Sequence, residues 1–345
     1  MFLKHRLLVP LTTLMLCMIL TGCSFQSSQP VTAVSQSKVD TSQNSSSLFL
    51  EGDQIFSQAD LMLRSAKSSV LLEMYELGSP SELQLLEDDG DKGIPVLVLL
   101  DAQEPQSKRS VAELKAHHVS VLVARDPLIG GRGIQHAKLL VIDDSQLLIG
   151  GMNWGKGSYK NADADVFLKG SAAQEAQAIF EKDWSSIGGS IPAGVVKETN
   201  MGQSIFSGQT LLSKLLVTLD SSSFIQASLF ELSNRSLLDK LKACAKAGAN
   251  VQVVLDSQLE SAQNRSVVDS LRAAGVQVRM YPKGQVLHAK MLIADHTLVI
   301  GSANWSFSAF SSSGTFNHEL DLFTSDQVLL SHAKSTFQEF WNSSQ

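Results

Sequence analysis

The sequence contains the same series of segments twice, and this internal repeat constrains the fold more than any other feature. An apolar run followed by Glu-Leu and a helical period occupies 66–86 and recurs in 220–241. Apolar runs that end in Asp follow in 94–103 (IPVLVLLDAQ) and 249–258 (ANVQVVLDSQ). Because the order of elements matches in both copies, the chain is predicted to consist of two similar halves.

The repeat also predicts the fold class. Each copy has the pattern of strand, helix, strand, short strand, strand and helix, which indicates an α/β fold with helices on a mixed sheet. The stretch 186–204 is rich in Gly, Pro and polar residues and separates the copies, so we place the halves at 49–190 and 191–345. Two like halves in one chain are expected to pack about a pseudo-two-fold axis.

The first 22 residues have the composition of a secretory signal rather than of a folded segment. Lys4 and Arg6 precede an apolar run over 7–20 that is short for a membrane span. The run ends in Leu-Thr-Gly before Cys23, which resembles a bacterial lipobox with Cys23 as the lipidated residue. The sequence therefore predicts a lipid anchor on the extracytoplasmic face of the cell membrane; the alternative is an ordinary signal peptide with a chance cysteine.

Residues 23–48 are rich in Ser, Gln and Thr and are predicted to form a flexible tether. Loss of Lys4 and Arg6 with the signal takes the formal net charge from −6 to −8. Such an acidic chain is a poor non-specific binder of nucleic acid or of an anionic membrane. Only Cys244 is left in the folded body, which excludes an internal disulfide and a multi-cysteine zinc site.

The segments QHAKLLVIDD (135–144) and LHAKMLIADH (287–296) share the pattern H-x-K-x-x-x-x-D. Side chains alternate faces along a strand, so the histidine and lysine of each pattern are expected to point the same way. The aspartate follows the histidine by an odd number of residues and should fall on the other face or at the strand end. Because a buried ammonium group needs a partner, an anion is expected beside each pair.

Two such pairs facing each other, His136 with Lys138 and His288 with Lys290, suit phosphodiester cleavage. The lysines would neutralise phosphate oxygens. One histidine would attack phosphorus and the other would protonate the leaving oxygen, after which water resolves the phosphohistidine. Since the lysines supply positive charge, this mechanism calls for no metal and no cofactor.

The attacking histidine needs a carboxylate on its other ring nitrogen to fix the tautomer. Acidic strands after each motif provide the candidates Asp163 and Asp165 in the first half and Glu319 and Asp321 in the second. Alternation puts both members of each pair on one face. The residues alone leave the choice between them open.

The segments HAKLLVIDDSQLLIGGMN and HAKMLIADHTLVIGSAN resemble the phospholipase D superfamily signature, H-x-K-x-x-x-x-D followed by Gly-Ser-x-Asn. The resemblance runs from about residue 50 to the chain end. It implies that His136 is the nucleophile and His288 the acid/base. It implies further that phosphate is held by Lys138, Lys290, Asn153 and Asn304, that each histidine is oriented by Asp163 or Glu319, and that Asp143 and Asp295 brace the motif. Asp163 is expected to partner His136 of its own half.

The sequence departs from the family pattern in the first copy more than in the second. Gly151 stands where the family usually has serine, whereas Ser302 keeps it. Asp163 replaces the commoner glutamate, and the second copy is one residue shorter between Asp295 and Gly301. These differences bear on the fine geometry of the site rather than on the reaction class.

The substrate is less constrained than the reaction. Hydrolysis of phospholipids by a phosphoric diester hydrolase is the main prediction, since a lipid anchor and an acidic body without a basic stripe favour it. A metal-independent endonuclease or a phosphatidyl transferase like the cardiolipin synthases would use the same chemistry, and a non-catalytic binder of phosphate ligands is the alternative outside enzymes. The expected partners are a phospholipid and the membrane, with nucleic acid as the alternative substrate, and the chain is expected to be a monomer.

Overall fold

The computed structural model describes residues 47–195, 202–310 and 316–345. The predicted signal peptide, Cys23 and the tether up to residue 46 lie outside these described residues. The first strand begins at Ser47, two residues before the predicted start of the first half. Within the described ranges, no helix has both the length and the apolar composition that a membrane span requires.

The described residues of the first half form a seven-stranded mixed sheet flanked by helices. Its strands are β1 (Ser47–Glu51), β2 (Val70–Met74), β3 (Val96–Leu100), β4 (Ser120–Val123), β5 (Leu139–Ile142), β6 (Gln146–Gly150) and β7 (Ala164–Lys169). Its helices are α1 (Asp53–Ser65), α2 (Pro80–Asp91), α3 (Pro105–Ala116) and α4 (Ser171–Ser186), with a 3₁₀ turn at Ser158–Lys160. The strand order is β1-β7-β6-β5-β2-β3-β4.

The described residues of the second half repeat this arrangement. The strands are β8 (Ile205–Phe206), β9 (Phe224–Leu229), β10 (Asn250–Leu255), β11 (Gln277–Met280), β12 (Lys290–Ala294), β13 (Thr297–Gly301) and β14 (Asp321–Thr324). The helices are α5 (Gly208–Asp220), α6 (Arg235–Lys246), α7 (Ser261–Ala273), α8 (Phe307–Phe310) and α9 (Gln327–Ser343). The strand order, β11-β10-β9-β12-β13-β14-β8, is that of the first sheet read from its other edge.

The structure confirms the predicted fold class of two similar α/β halves. In each sheet the parallel strands lie on one side and the antiparallel strands on the other, and β2 and β9 mark the change of direction. Parallel strands are covered on both faces by helices and read as apolar runs, as the segment VLVLL of β3 does.

The two sheets share one central apolar core. On β2, Leu71 faces this core while Val70 and Leu72 face the outer helices of their own half, as strand alternation requires. Helices α4 and α9 also enter the central core, where Trp184 and Trp341 are both buried. The halves are therefore joined through their interiors, which places their H-x-K segments at one junction.

Candidate active site

The two H-x-K segments lie at corresponding places at the junction of the halves. His136 and Lys138 immediately precede β5, and His288 precedes β12, which begins at Lys290. All four side chains are buried, with residue exposures of 2 to 7%. The segments thus lead into central strands rather than lying along them, and this position brings their side chains to the ends of the sheets.

Each histidine bonds a carboxylate of the other half. His136 Nδ1 lies 2.9 Å from Oε2 of Glu319, and His288 Nδ1 lies 2.6 Å from Oδ2 of Asp163. The expectation that Asp163 partners His136 of its own half was wrong. Because both Nδ1 atoms face carboxylates, Nε2 of each ring is the nitrogen left for chemistry at phosphorus.

The strand order explains why the pairs cross. Asp163 leads into β7, and β6 lies between β7 and β5, so Asp163 is two strands away from the H-x-K segment of its own half. The backbone of the segment before Asp163 pairs instead with the other half, where His288 N donates to the carbonyl of Ala162 at 2.8 Å. The symmetric bond joins His136 N to the carbonyl of His318 at 2.9 Å.

The two carboxylates differ in how firmly they are held. Glu319 accepts hydrogen bonds from Ser302 Oγ at 2.6 Å and from Asn317 Nδ2 at 3.2 Å, besides facing His136. Asp163 accepts a bond from the backbone N–H of Ala164 at 3.0 Å. Burial opposes ionisation of both groups, but the facing histidine and the nearby lysines outweigh it and hold the pKa of each below its usual value.

Asp165 and Asp321, the other acidic candidates, hold turns rather than histidines. Asp165 Oδ1 accepts a bond from Met152 N and Asp321 Oδ1 accepts one from Ala303 N, both at 3.0 Å. Burial raises the pKa of each carboxyl to about 8. These turns carry the two asparagines expected to hold phosphate. The Oδ1 atoms of Asn153 and Asn304 are buried, and neither has a hydrogen-bond partner within the described residues.

The lysines are buried cations at the centre of the site. Burial lowers the pKa of Lys138 to about 7 and that of Lys290 to about 8, while Glu319 and Asp163 act in the opposite direction. Each Nζ also donates to the backbone carbonyl of the histidine two residues before it. Each lysine therefore lies beside its own histidine and under the influence of carboxylates from both halves.

The histidines favour the neutral state in the free protein. Burial is the main cause that lowers the pKa of His136, and Lys138 and Lys290 act in the same direction against Glu319. For His288, burial and then Lys290 lower the pKa to about 4. That Lys290 affects both rings shows that the two H-x-K pairs act on one another across the junction.

Two aromatic side chains next to the histidines were not predicted. The Tyr75 ring lies edge-on to His136 with 5.1 Å between centroids, and Lys138 Nζ is 5.4 Å from the same ring. Phe230 takes the equivalent place beside His288, with 4.9 Å between centroids. Both residues precede Glu-Leu in the first repeated segment, so their shared place in the repeat is the signal that could have identified them.

The motif aspartates bind the ends of neighbouring strands. Asp143 Oδ1 accepts bonds from the N–H groups of Ser68 and Ser69 at 2.7 and 2.9 Å. Asp295 similarly accepts bonds from the N–H groups of Ser223 and Phe224. The many bonds to Asp143 hold its pKa below its usual value although burial opposes this. Both carboxylates therefore lie in turns, away from the histidines.

The departure at Gly151 fits its surroundings. A Cβ atom there would lie 2.4 Å from Oδ1 of Asp163 and 3.3 Å from Cδ of Lys290. At the corresponding position in the second half, Ser302 has room for its side chain and bonds Glu319. The shorter Asp163 side chain and the missing serine thus occur together in one half of the site.

Comparison with known families gives a match to both halves. The family model described as cardiolipin synthase, phospholipase D-like domain, matches residues 61–184 and 215–341. A probable cardiolipin synthase of Bacillus subtilis is 24% identical over 84% of this chain, which spans 64% of that protein. A cardiolipin synthase of Clostridium perfringens is 25% identical over 87% of this chain, which spans 70% of that protein.

Solved structures show the same architecture. A phosphatidylserine synthase from Haemophilus influenzae superposes with a TM-score of 0.63 at 14% identity and covers 87% of both chains. A polyphosphate kinase from Porphyromonas gingivalis superposes with a TM-score of 0.64 at 12% identity over 85% of this chain and 46% of that one. These likenesses concern the fold.

Proposed function

This chain belongs to the cardiolipin synthase, phospholipase D-like domain family, and we propose that it is a phosphatidyl transferase acting through a phosphohistidine. The observation that carries the proposal is the crossed arrangement of two histidine–carboxylate pairs around two buried lysines. Neither half has a complete site, because each supplies the carboxylate that the other half's histidine needs. One chain therefore suffices for activity, and we propose that it acts as a monomer.

In the first step, Nε2 of His136 attacks the phosphorus of a phospholipid. An N–P bond forms, the P–O bond to the headgroup alcohol breaks, and protonated His288 gives that alcohol its proton. The anionic phosphate makes this protonation possible, because a nearby negative charge raises the pKa of an imidazole. Lys138 and Lys290 neutralise the phosphoryl oxygens.

In the second step, an acceptor alcohol takes the place of the departed headgroup. His288, now neutral, removes the proton of the acceptor hydroxyl, whose oxygen attacks phosphorus. The N–P bond breaks and His136 regains its neutral ring. We assign His136 as the nucleophile because Glu319, its partner, is held by Ser302 and Asn317 in addition.

Two observations support transfer over hydrolysis, the main prediction from sequence. Two relatives covering most of this chain are named as cardiolipin synthases. Both histidines are buried, at 5 and 7% exposure, and Tyr75 and Phe230 flank them, which limits the access of water to the phosphohistidine. Hydrolysis is the same second step with water as the acceptor.

The test is a product analysis with vesicles of phosphatidylglycerol. A transferase yields cardiolipin and glycerol from two phosphatidylglycerol molecules, whereas a hydrolase yields phosphatidic acid and glycerol. We expect cardiolipin from the wild type, and neither cardiolipin nor phosphatidic acid from His288→Ala. Phosphatidic acid alone would establish the hydrolase instead, and cleavage of single-stranded DNA with no lipid product would establish the nuclease.

We also propose that Cys23 carries a lipid that anchors the enzyme on the extracytoplasmic face of the cell membrane. The support is the lipobox-like Leu-Thr-Gly-Cys after an apolar run. Replacing Cys23 by serine should move the protein from the membrane fraction to the soluble one. Retention of Cys23→Ser in the membrane fraction would show that another feature anchors it.

A further inference from the structure

A second group of buried ionisable side chains lies behind the histidines. Nε2 of His318 is 3.1 Å from Oε2 of Glu73 and 3.1 Å from Oδ2 of Asp183. Gln135 joins the group by donating from Nε2 to Oε2 of Glu73 at 2.9 Å. All four residues are buried, and Glu73 and Gln135 are fully so. None of them takes part in the steps proposed above.

The fold itself does not require charges at these positions, as the other half shows. Aligning the repeats places Ser228 opposite Glu73, Ala162 opposite His318 and Phe340 opposite Asp183. All three counterparts are buried, and they are neutral. Replacement of buried ionic groups by apolar ones is often neutral or stabilising. The charged version in the first half therefore calls for a role other than packing.

The cluster has oxygen atoms without partners. Oε1 of Glu73 and Oε1 of Gln135 are buried, and neither has a hydrogen bond within the described residues. Oδ2 of Asp183 approaches His318 without the geometry of a hydrogen bond. Because an unsatisfied buried acceptor is destabilising, these oxygens together point to a ligand that the cluster can bind.

We propose that Glu73, Asp183 and His318 bind a divalent transition-metal ion, with Oε1 of Gln135 as a fourth ligand. One ligand atom from each of the first three residues lies within 4.8 Å of the others, so small side-chain movements suffice for coordination. One imidazole with carboxylate and amide oxygens suits ions such as Zn²⁺ or Mn²⁺. Burial lowers the pKa of His318, but Asp183 and Glu73 outweigh it and hold that pKa well above its usual value, so the ion would take the place of the proton on this imidazole.

The ion has an entry path. A pocket of about 280 Å³ opens beside the cluster and is lined by Asp183 and His318, together with Asn317 and Glu319. The other ligands lie deeper, on β2 and in the segment before His136. The ion would therefore enter from this pocket and be closed off by Glu73 and Gln135.

The position of the cluster indicates a structural role for the ion. Glu73 and Asp183 belong to the first half and His318 to the second, so the ion would join the halves. The carbonyl of His318 also accepts the bond from His136 N, and its neighbour Glu319 holds the ring. The ion is thus distinct from the phosphate-binding lysines and need not take part in the reaction.

The test uses the mature protein, stripped with EDTA, dialysed and titrated with Zn²⁺ or Mn²⁺ in a calorimeter. We expect one equivalent to bind, together with a rise in melting temperature. Glu73→Gln and Asp183→Asn should each weaken binding at least tenfold and reduce that rise. The matched control is His117→Ala, which removes an exposed histidine 2.8 Å from Asp91 and should change neither quantity.

Wild-type protein that binds no ion saturably, or a Glu73→Gln variant that binds as tightly as wild type, would overturn the proposal. If the variants do not fold, X-ray absorption of Co²⁺-loaded wild type provides the decision. One imidazole nitrogen among oxygen ligands and no sulfur supports the site, and any other ligand set rejects it. These readouts are independent of lipid turnover, so a failed transferase assay leaves them interpretable.

Discussion

Glu319 follows His136 by 183 positions in the chain, yet its carboxylate oxygen lies 2.9 Å from Nδ1 of that histidine. The reciprocal pair, His288 with Asp163, is 125 positions apart and joins the halves in the opposite direction. Each histidine therefore depends on the half of the protein that does not contain it. The junction of the halves therefore forms the proposed active site in addition to packing the two sheets together.

The crossed pairs predict which histidine each carboxylate controls. Glu319→Gln should change the tautomer and lower the pKa of His136, because the charge that opposes burial is lost, and it should leave His288 nearly unchanged. Asp163→Asn should do the reverse. Nitrogen chemical shifts of ¹⁵N-labelled histidine during a pH titration measure both effects. A Glu319→Gln spectrum in which His288 moves more than His136 would contradict the pairing.

The buried lysines predict an alkaline limit to activity. The pKa of Lys138 is about 7 and that of Lys290 about 8 in the free protein, so both lose charge as the pH rises through this range. The ratio kcat/KM, which reports free-enzyme groups, should therefore begin to fall near pH 7, where Lys138 loses its charge, and fall further as Lys290 does the same. On the acid side it should fall as His136, the nucleophile, becomes protonated, and this limb should lie below the usual histidine range because burial lowers the pKa of His136.

A short-chain phospholipid below its micellar concentration suits this pH profile because no lipid surface titrates with the enzyme. Lys138→Arg provides the control, since its guanidinium keeps its charge and should move the alkaline limb upward even if the rate is lower. If the alkaline limb stays in place in Lys138→Arg, that limb belongs to another group.

Chelation by EDTA should leave turnover at 25 °C largely intact, because the lysines supply the positive charge.

Replacing a motif aspartate should reduce the stability of the protein more than its activity. Asp143→Ala removes the acceptor for several N–H groups and should lower the free energy of unfolding by about 1–3 kcal/mol at pH 7. Since folding lowers the pKa of Asp143, its contribution is present above the pKa of the unfolded chain and is lost as the pH falls through the folded value. The difference in free energy of unfolding between the wild type and Asp143→Ala, measured by urea denaturation, should thus be smaller at pH 3 than at pH 7.

Asp143→Asn is the matched control, because asparagine tolerates the left-handed backbone at this position, φ 52°, and keeps one acceptor oxygen. It should lose less stability than the alanine variant. If Asp143→Ala instead abolished turnover while leaving the unfolding curve unchanged, the aspartate would have a direct part in the reaction.

The residues at the corresponding positions 151 and 302 should not be exchangeable: glycine is needed at 151 and serine at 302. Ser302→Gly removes a 2.6 Å bond to Glu319 and one from Leu320 N, and should reduce kcat by roughly 10-fold or more, since a bond to a charged group contributes about 1.5–3 kcal/mol. Gly151→Ser should also reduce kcat, because its Cβ would displace Asp163. Steady-state rates test both variants, and circular dichroism checks that each is folded. A Gly151→Ser enzyme that is faster than the wild type would contradict the close approach of position 151 to Asp163.

Much of the fold could be predicted from the sequence because the repeat is long. The apolar patterns that indicate strands and helices also depend only on residues close together in the chain. The partner of each histidine could not, since it depends on β6 lying between β5 and β7, a matter of strand order rather than of residue pattern. Side-chain alternation likewise could not separate Asp163 from Asp165. Their roles differ because one faces the opposite half and the other faces its own turn.

The most direct test is to trap the covalent intermediate on a phospholipid whose headgroup is p-nitrophenol, a leaving group that needs no proton. In His288→Ala the first step should proceed and the second should stall, so mass spectrometry after an alkaline quench should find a phosphatidyl group on His136. His136→Ala should carry none. An adduct on His288 alone would reverse the assignment of the nucleophile. Wild-type turnover with no histidine adduct in any variant would contradict the covalent mechanism.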